Sequence, residues 1–387
     1  MQQRGPRHEG VRDATWRVGV VADPGLPSKV AADVVNRGLT DLLAFRVSPD
    51  VRWEVQLLHE TLPLNEQRTV PLLESAARRR PDNGWDVLVY LTDLPRRLDS
   101  QPVIADVSVG HRAVLISLPA IGPFRLRHHV TETLVRLVRR IHQQPPSPEG
   151  VARGPVGRLL RRPGEWVSPV REIPTVDEGI DASLALVGLR GRLRLLLGMV
   201  RANRPWLLVP HLASATAAAA ATAAFGLFYS SIWNMADALA PARLVLIMFL
   251  AIAVMVGWLL LYNHLWDART GQASRRQVVL YNAATLCTVF IGVLCMYALL
   301  YALALVAALV VIDAGYLSSQ LGHPVGYGAY AGLAWLSSSM GIVAGALGSS
   351  LDTEEAVRQA TYSRRERDRQ ARDRATAASP SGTTEDA

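Results

Sequence analysis

From Trp16 to His142 the apolar positions recur with two periods in turn, two-residue alternation and helical spacing. Trp16-Arg-Val-Gly-Val-Val-Ala22 is a β-branched run closed by the turn cluster Asp23-Pro-Gly-Leu-Pro27, the pattern of a strand and its loop. Ser28 then suits a helix N-cap, with Val30, Val34, Leu39 and Leu42 as the apolar face behind it. A second strand is expected at 51–58 and a helix near 69–79. Trp85-Asp-Val-Leu-Val-Tyr-Leu91 is apolar enough to be a central strand. Residues 102–108 and 112–118 read as strands around a turn at Gly110-His111, and 124–142 as a helix. This order predicts a soluble N-terminal α/β domain over 15–143, a mixed sheet with flanking helices.

Beyond about residue 205 the alternation gives way to long apolar runs. A helix needs about 20 apolar residues to cross roughly 30 Å of hydrocarbon. Residues 206–232, opening on Trp206 as an interfacial anchor, 243–263 and 328–349 satisfy that length. The run 277–313 exceeds it, and as one helix it would be about 54 Å long. Two crossings would need a turn near 297–301, where Tyr297-Ala-Leu-Leu-Tyr301 holds no Gly, Pro, Asn or Asp.

Charge decides between these. The chain carries 41 Lys and Arg against 33 Asp and Glu, net +8, and Lys29 is its one lysine. Arginine crowds the flank before 206, the 264–276 loop (Arg269, Arg275, Arg276) and the tail from Arg358, while 233–242 and 314–327 carry none. The positive-inside rule then favours a single crossing by 277–313. The expected domain at 206–349 is a transmembrane bundle of about four helices (206–232, 243–263, 277–313, 328–349). It lies in the cytoplasmic membrane with both chain ends on the cytoplasmic side.

Around this frame, 1–14 is a disordered polar N-terminus with no apolar core of a secretory signal. Residues 144–181 form a Pro/Arg-rich linker, and 350–387 a charged tail with a helix over 352–376. Residues 182–205 read as a basic juxtamembrane helix. Its Arg190, Arg192, Arg194, Arg201 and Arg204 would meet anionic headgroups, or serve as a plain positive flank. The expected partners are thus the bilayer, with a second copy or another protein open, and no nucleic acid.

Candidate chemistry is sparse. Cys287 and Cys295 are eight residues apart, about 12 Å along a helix, which is too far for a bridge. Gly341-Ile-Val-Ala-Gly345, extended by Gly348, is a small-residue spacing for close helix packing, with the Ala-rich first span as partner. Asn282 and Asp313 are the intramembrane polar candidates, and Asp313 clustered with Asn282 or His264 would point to transport. In the soluble domain, Asp23, Ser28 and Lys29 form a candidate ligand loop where doubly wound sheets bind ligands. That loop lacks the Walker A spacing, and the domain has no GxGxxG, so no cofactor is expected.

Asp86-Val-Leu-Val-Tyr-Leu-Thr-Asp-Leu-Pro95, Ala113-Val-Leu-Ile-Ser-Leu-Pro-Ala120 and the helix with His128, His129 and Glu132 resemble the strand–strand–helix core of archaemetzincin-type zincins. The resemblance implies a scaffold without a zinc site. His129-Val-Thr-Glu132 is not HExxH, and His59-Glu60 meets Pro63 at the second ligand position. The whole layout, including Leu347 to Arg374, resembles a family of actinobacterial multi-pass membrane proteins, a resemblance that implies location and carries no activity. The reading is a membrane-anchored cytoplasmic binding or scaffold module. The alternatives are a small-solute transporter or channel, and a membrane-tethered enzyme using the α/β domain.

Overall fold

The computed structural model describes residues 14–61, 70–98, 101–144, 170–173, 180–186, 188–266 and 275–352. The expected disordered N-terminus, most of the linker, the centre of the arginine loop and the tail beyond Asp352 lie outside them. The chain forms two compact units, Met1–Met199 and Val200–Ala387.

The first unit is a mixed α/β domain. It runs β1 (Ala14–Ala22), α1 (Leu26–Asn36), α2 (Leu39–Arg46), β2 (Val51–His59), α3 (Leu72–Asn83) and β3 (Val87–Thr92). Then come β4 (Arg96–Leu98), β5 (Gln101–Ser108), β6 (Ala113–Ser117), α4 (Leu118–Ile121), α5 (Leu126–Gln143), β7 (Val170–Ile173), β8 (Ala182–Leu186) and α6 (Gly188–Asn203), whose last residues enter the second unit. The strand order is β2-β1-β3-β6-β5-β8-β7, with β4 paired to β5 off that path. The first four strands are parallel, and β5, β8 and β7 run antiparallel to their neighbours. Every residue of β3 is buried, as its unbroken apolar run requires of a central strand. Gly19 of β1 leaves room for the Trp85 indole, which occupies the space a Cβ would need and donates to Gln56 Oε1 at 2.7 Å.

Four local expectations change. The helix expected behind Ser28 is two helices, because Gly38 adopts a left-handed φ of 87°. Ser28 is not its cap. Leu26 starts α1 with Pro27 next in its first turn, and Ser28 Oγ instead donates to the Asp23 carbonyl at 2.8 Å. The stretch read as linker contributes β7. Residues 182–186, read as the start of the juxtamembrane helix, form β8 and are all buried, so α6 begins only at Gly188. A five-residue apolar run such as Ala-Ser-Leu-Ala-Leu has no periodicity that separates strand from helix.

The second unit is helical: α7 (Leu208–His211), α8 (Ala213–Phe228), α9 (Ser230–Ala238), α10 (Pro241–Tyr262), α11 (Arg275–Val311), α12 (Ala314–Leu321) and α13 (Tyr327–Gly348). Three helical stretches are long and apolar enough to cross a membrane: Pro241–Tyr262, Val278–Val311 and Tyr327–Leu351. A fourth is available if the helical stretch ending at His211 and α8 count as one broken span. The first expected span, 206–232, is therefore interrupted at Leu212 and Tyr229. The long run is one unbroken helix of 37 residues, about 55 Å, with no turn at 297–301.

The Ala face of α8 meets the glycine face of α13. A Cβ on Gly341 would lie 2.5 Å from the Ala219 carbonyl oxygen. On Gly345 it would lie 3.0 Å from that of Ala215, and on Gly348, 2.6 Å from Ala218 Cβ. Leu212, at the N-cap of α8, has no side-chain acceptor, and Asp352 takes that role. Its carboxylate accepts Ser214 N–H at 3.1 Å and Ala215 N–H at 3.2 Å.

Candidate functional site

The parallel strands of the first unit end in a row of polar residues. In spatial order these are Glu60 after β2, Asp23 after β1, Thr92 closing β3 and Ser117 closing β6. The chain leaves β1 for β2 on one side and returns to β3 on the other. The crevice outside the carboxyl ends of β1 and β3 is thus a topological switch point, the position at which open parallel sheets bind ligands.

Asp23 is fully buried, and its carboxylate is held from two directions. The Tyr90 hydroxyl donates to Oδ1, and the Thr92 hydroxyl donates to Oδ2 at 2.6 Å. The two hydroxyl donors offset part of the cost of burying this polar group. The same residue orders the loop that follows it, because its carbonyl accepts both Ser28 N–H at 3.0 Å and Ser28 Oγ–H at 2.8 Å. Thr92 Oγ1 in turn accepts Leu94 N–H at 3.1 Å, and Ser117 Oγ donates to the Leu94 carbonyl at 2.7 Å. The loops after β1, β3 and β6 are therefore tied through side chains rooted in the sheet. Asp93 is buried beside this network, while Lys29 and Gly25 are exposed on its rim.

Two ion pairs flank the row. Arg79 of α3 grips Glu60 through both terminal nitrogens at 2.5 and 2.6 Å. The Arg79 hydrogen bond holds the Glu60 carboxyl below its ordinary value, and the reciprocal bond raises Arg79. Arg96 pairs with Asp106 Oδ2 at 2.5 and 2.9 Å, and Ser183 of β8 donates to Asp106 Oδ1 at 2.6 Å. β8 thus supplies a side chain to the flank of the site. At the opposite edge Trp16, Trp53 and His142 form an aromatic cluster under the Arg112 guanidinium, with Trp16 and His142 ring centroids 4.5 Å apart. Burial first, and the nearby Arg112 second, lower the His142 pKa, so that ring is neutral at pH 7.

The loop residues Asp23, Ser28 and Lys29 all lie at this crevice, but in different roles: a sealed anchor, a loop tie and a rim cation. Sequence reasoning missed Tyr90, Thr92, Asp93, Ser117, and the pairs Glu60–Arg79 and Arg96–Asp106. The available signal was the abrupt change from apolar to polar in Val-Leu-Val-Tyr90-Leu-Thr92-Asp93. His128 is exposed, His129 is half-buried, and Glu132 pairs with Arg46. Among the described residues no three His, Cys, Asp or Glu side chains are grouped as a metal site requires.

In α6, Arg190, Arg192 and Arg201 are exposed, whereas Arg194 donates from Nε to the Ile121 carbonyl at 2.6 Å. Arg204 adopts a left-handed φ of 51° and caps the short turn Pro205–Leu207. In the second unit Asn282 is buried near the start of α11, and Thr288 accepts Asn203 Nδ2–H at 3.1 Å. Asp313 lies past the other end of that helix, about 45 Å away along its axis. It is the exposed N-cap of α12, accepting Tyr316 N–H at 3.0 Å. The pairing of Asp313 with Asn282 that would have pointed to transport does not form.

No protein-family model, curated protein or solved structure matches the chain.

Proposed function

We propose that this chain is a multi-pass protein of the cytoplasmic membrane whose α/β domain is a cytoplasmic binding module, engaging its partner at the carboxyl ends of β1 and β3. The observation that carries the reading is the Asp23–Tyr90–Thr92 network at a topological switch point. It fixes three loops in one conformation while exposing Lys29 and the Gly25 backbone at the rim. Asp23 itself is sealed from solvent and braces the loops, with no access to a reacting group. This favours binding over catalysis, with the tethered enzyme as the alternative.

The membrane placement draws support from the apolar helices and from Asp352. Its bond to α8 brings the start of α8 and the end of α13 to one end of the unit. Four crossings, one by the broken stretch that includes α8 and the others by α10, α11 and α13, return the chain to its starting side, and the arginine bias makes that side cytoplasmic.

Site-specific photo-crosslinking in cells tests the binding surface. Probes at Lys29 and Pro95 are expected to give adducts that probes at Asn83 and Gly110, before the amino ends of β3 and β6, do not. Equal labelling at both pairs of positions, or labelling only at the second, removes the proposed surface. Reporter fusions at 239, 270, 320 and after the tail test the topology, and an exported tail would overturn it.

A further inference from the structure

Helix α6 uses both of its faces. One face is buried: Gly191, Leu195, Gly198 and Met199 are covered, and Gly198 sits directly on the Pro119 carbonyl of α4, leaving no room for a Cβ. The other face holds Leu189, Leu193 and Leu197 at 72%, 49% and 46% exposure, one every helical turn. At about 100° per residue, Arg190 and Arg201 border this stripe on one side and Arg192 on the other. The helix contains no acidic residue. Phe124, 77% exposed, lies in the neighbouring loop, two residues after Gly122, which Arg194 contacts.

A leucine stripe bordered by arginines is the arrangement of a helix lying in a membrane interface, its apolar face among the acyl chains and its guanidinium groups among the headgroups. The chain supplies that surface, since the first apolar segment opens at Pro205, two residues after α6 ends. We propose that the Leu189–Leu193–Leu197 face of α6, with Phe124, docks the α/β domain onto the anionic surface of the bilayer in which the later helices are embedded. This rests on the membrane reading of those helices. It assigns the exposed face one occupant, anionic phospholipid.

The test uses the full-length protein with Cys287 and Cys295 replaced by alanine, reconstituted into phosphatidylcholine vesicles with or without phosphatidylglycerol. Nitroxide labels go at Leu193 and Leu197, with Leu261 and Val310, both highly exposed on α10 and α11, as lipid controls and Asp50 as a water control. The expected result is that a water-soluble nickel chelate loses access to 193 and 197 in anionic vesicles, while oxygen keeps it. R190Q/R192Q/R201Q should shift the docked population by about a hundredfold, at about fivefold per arginine near an anionic surface. Nickel access at 193 and 197 in both lipids overturns the proposal. So does shielding from both reagents, which would mean cover by another part of the chain, or spin–spin broadening, which would mean cover by a second copy. If Leu261 and Val310 also sit in water, the membrane reading itself has failed; if they sit in lipid, only the docking has.

Discussion

The two units bury apolar side chains alike but expose different kinds of residue. The α/β unit places its largest apolar side chains inside, among them Leu39, Leu43, Leu88 and Tyr90, and closes them with charged networks at the strand ends. The helical unit turns large apolar side chains outward, Leu261 and Val310 at 77% and 78% exposure, and places Ala, Gly and Ser at its α8–α13 contact. In water, apolar burial drives association. On the membrane reading proposed above, that drive is absent between helices in lipid, so close backbone approach and a few hydrogen bonds take over. Polar residues differ as well: the first unit holds a buried carboxylate and arginine–carboxylate pairs at its strand ends, and in the second the Tyr297 hydroxyl bonds from α11 to α13.

Four tests would break or sharpen this contrast. Y90F/T92V strips both hydroxyl donors from the buried Asp23 carboxylate and should destabilise the α/β unit by about 3 kcal/mol. Denaturant unfolding of the full-length protein in detergent, followed by the first unit's tryptophans, measures it. Recovery of most of that loss by adding Asp23→Asn would identify the buried carboxyl group as the cause. In the second unit, Gly341→Val forces a side chain against the Ala219 carbonyl and should cost about 2 kcal/mol. Gly257→Val, on the same kind of helix but facing open space, should stay within about 0.5 kcal/mol. Equal effects of the two in thermal unfolding would remove the small-residue contact from the explanation.

A smaller effect is expected from Tyr297→Phe. The Tyr297 hydroxyl lies 3.0 Å from Ser339 Oγ and donates to the Trp335 carbonyl at 3.2 Å. Hydrogen bonds between helices in lipid average about 0.6 kcal/mol, and the same thermal assay should return a loss of that order. The smallest effect concerns His323, whose Nε2 pairs with Asp237 at 2.9 Å in an exposed contact. The Asp237 hydrogen bond, then that to the Pro324 carbonyl, raises the His323 pKa above its ordinary 6.5. A histidine raised on folding contributes fully below its unfolded pKa, and the contribution fades as pH rises through the folded one. The melting difference between wild type and Asp237→Asn should therefore be largest below about pH 6.5 and shrink above it. A difference that grows with pH would remove the pair as its source.

Much of this contrast was legible in residue order. The strands at β1, β2, β3, β5 and β6 follow from alternation and turn residues, and the Gly341–Gly348 spacing was visible as a small-residue repeat. Three features were not legible, for separable reasons. β8 is too short and uniform to declare a period. The α1–α2 break depends on a left-handed Gly38 that a helical apolar face runs straight through. The site depends on long-range partners: Asp23 could be placed at a switch point, but Tyr90 and Thr92 become its donors only when β3 is laid beside β1, 67 and 69 residues away in sequence.

The Asp352 cap has a consequence for the order in which the chain is made. The first turn of α8 leaves the ribosome with no acceptor for Ser214 and Ala215, since Leu212 offers none. The carboxylate that serves them is encoded 138 and 137 residues later. At about 10 residues per second that interval lasts roughly 14 s. Throughout it α8 waits with bare amides for the end of α13 to arrive. The cap therefore forms only once α13 has been made. A product cut short between Gly348 and Asp352 keeps its apolar helices but leaves the start of α8 without this acceptor.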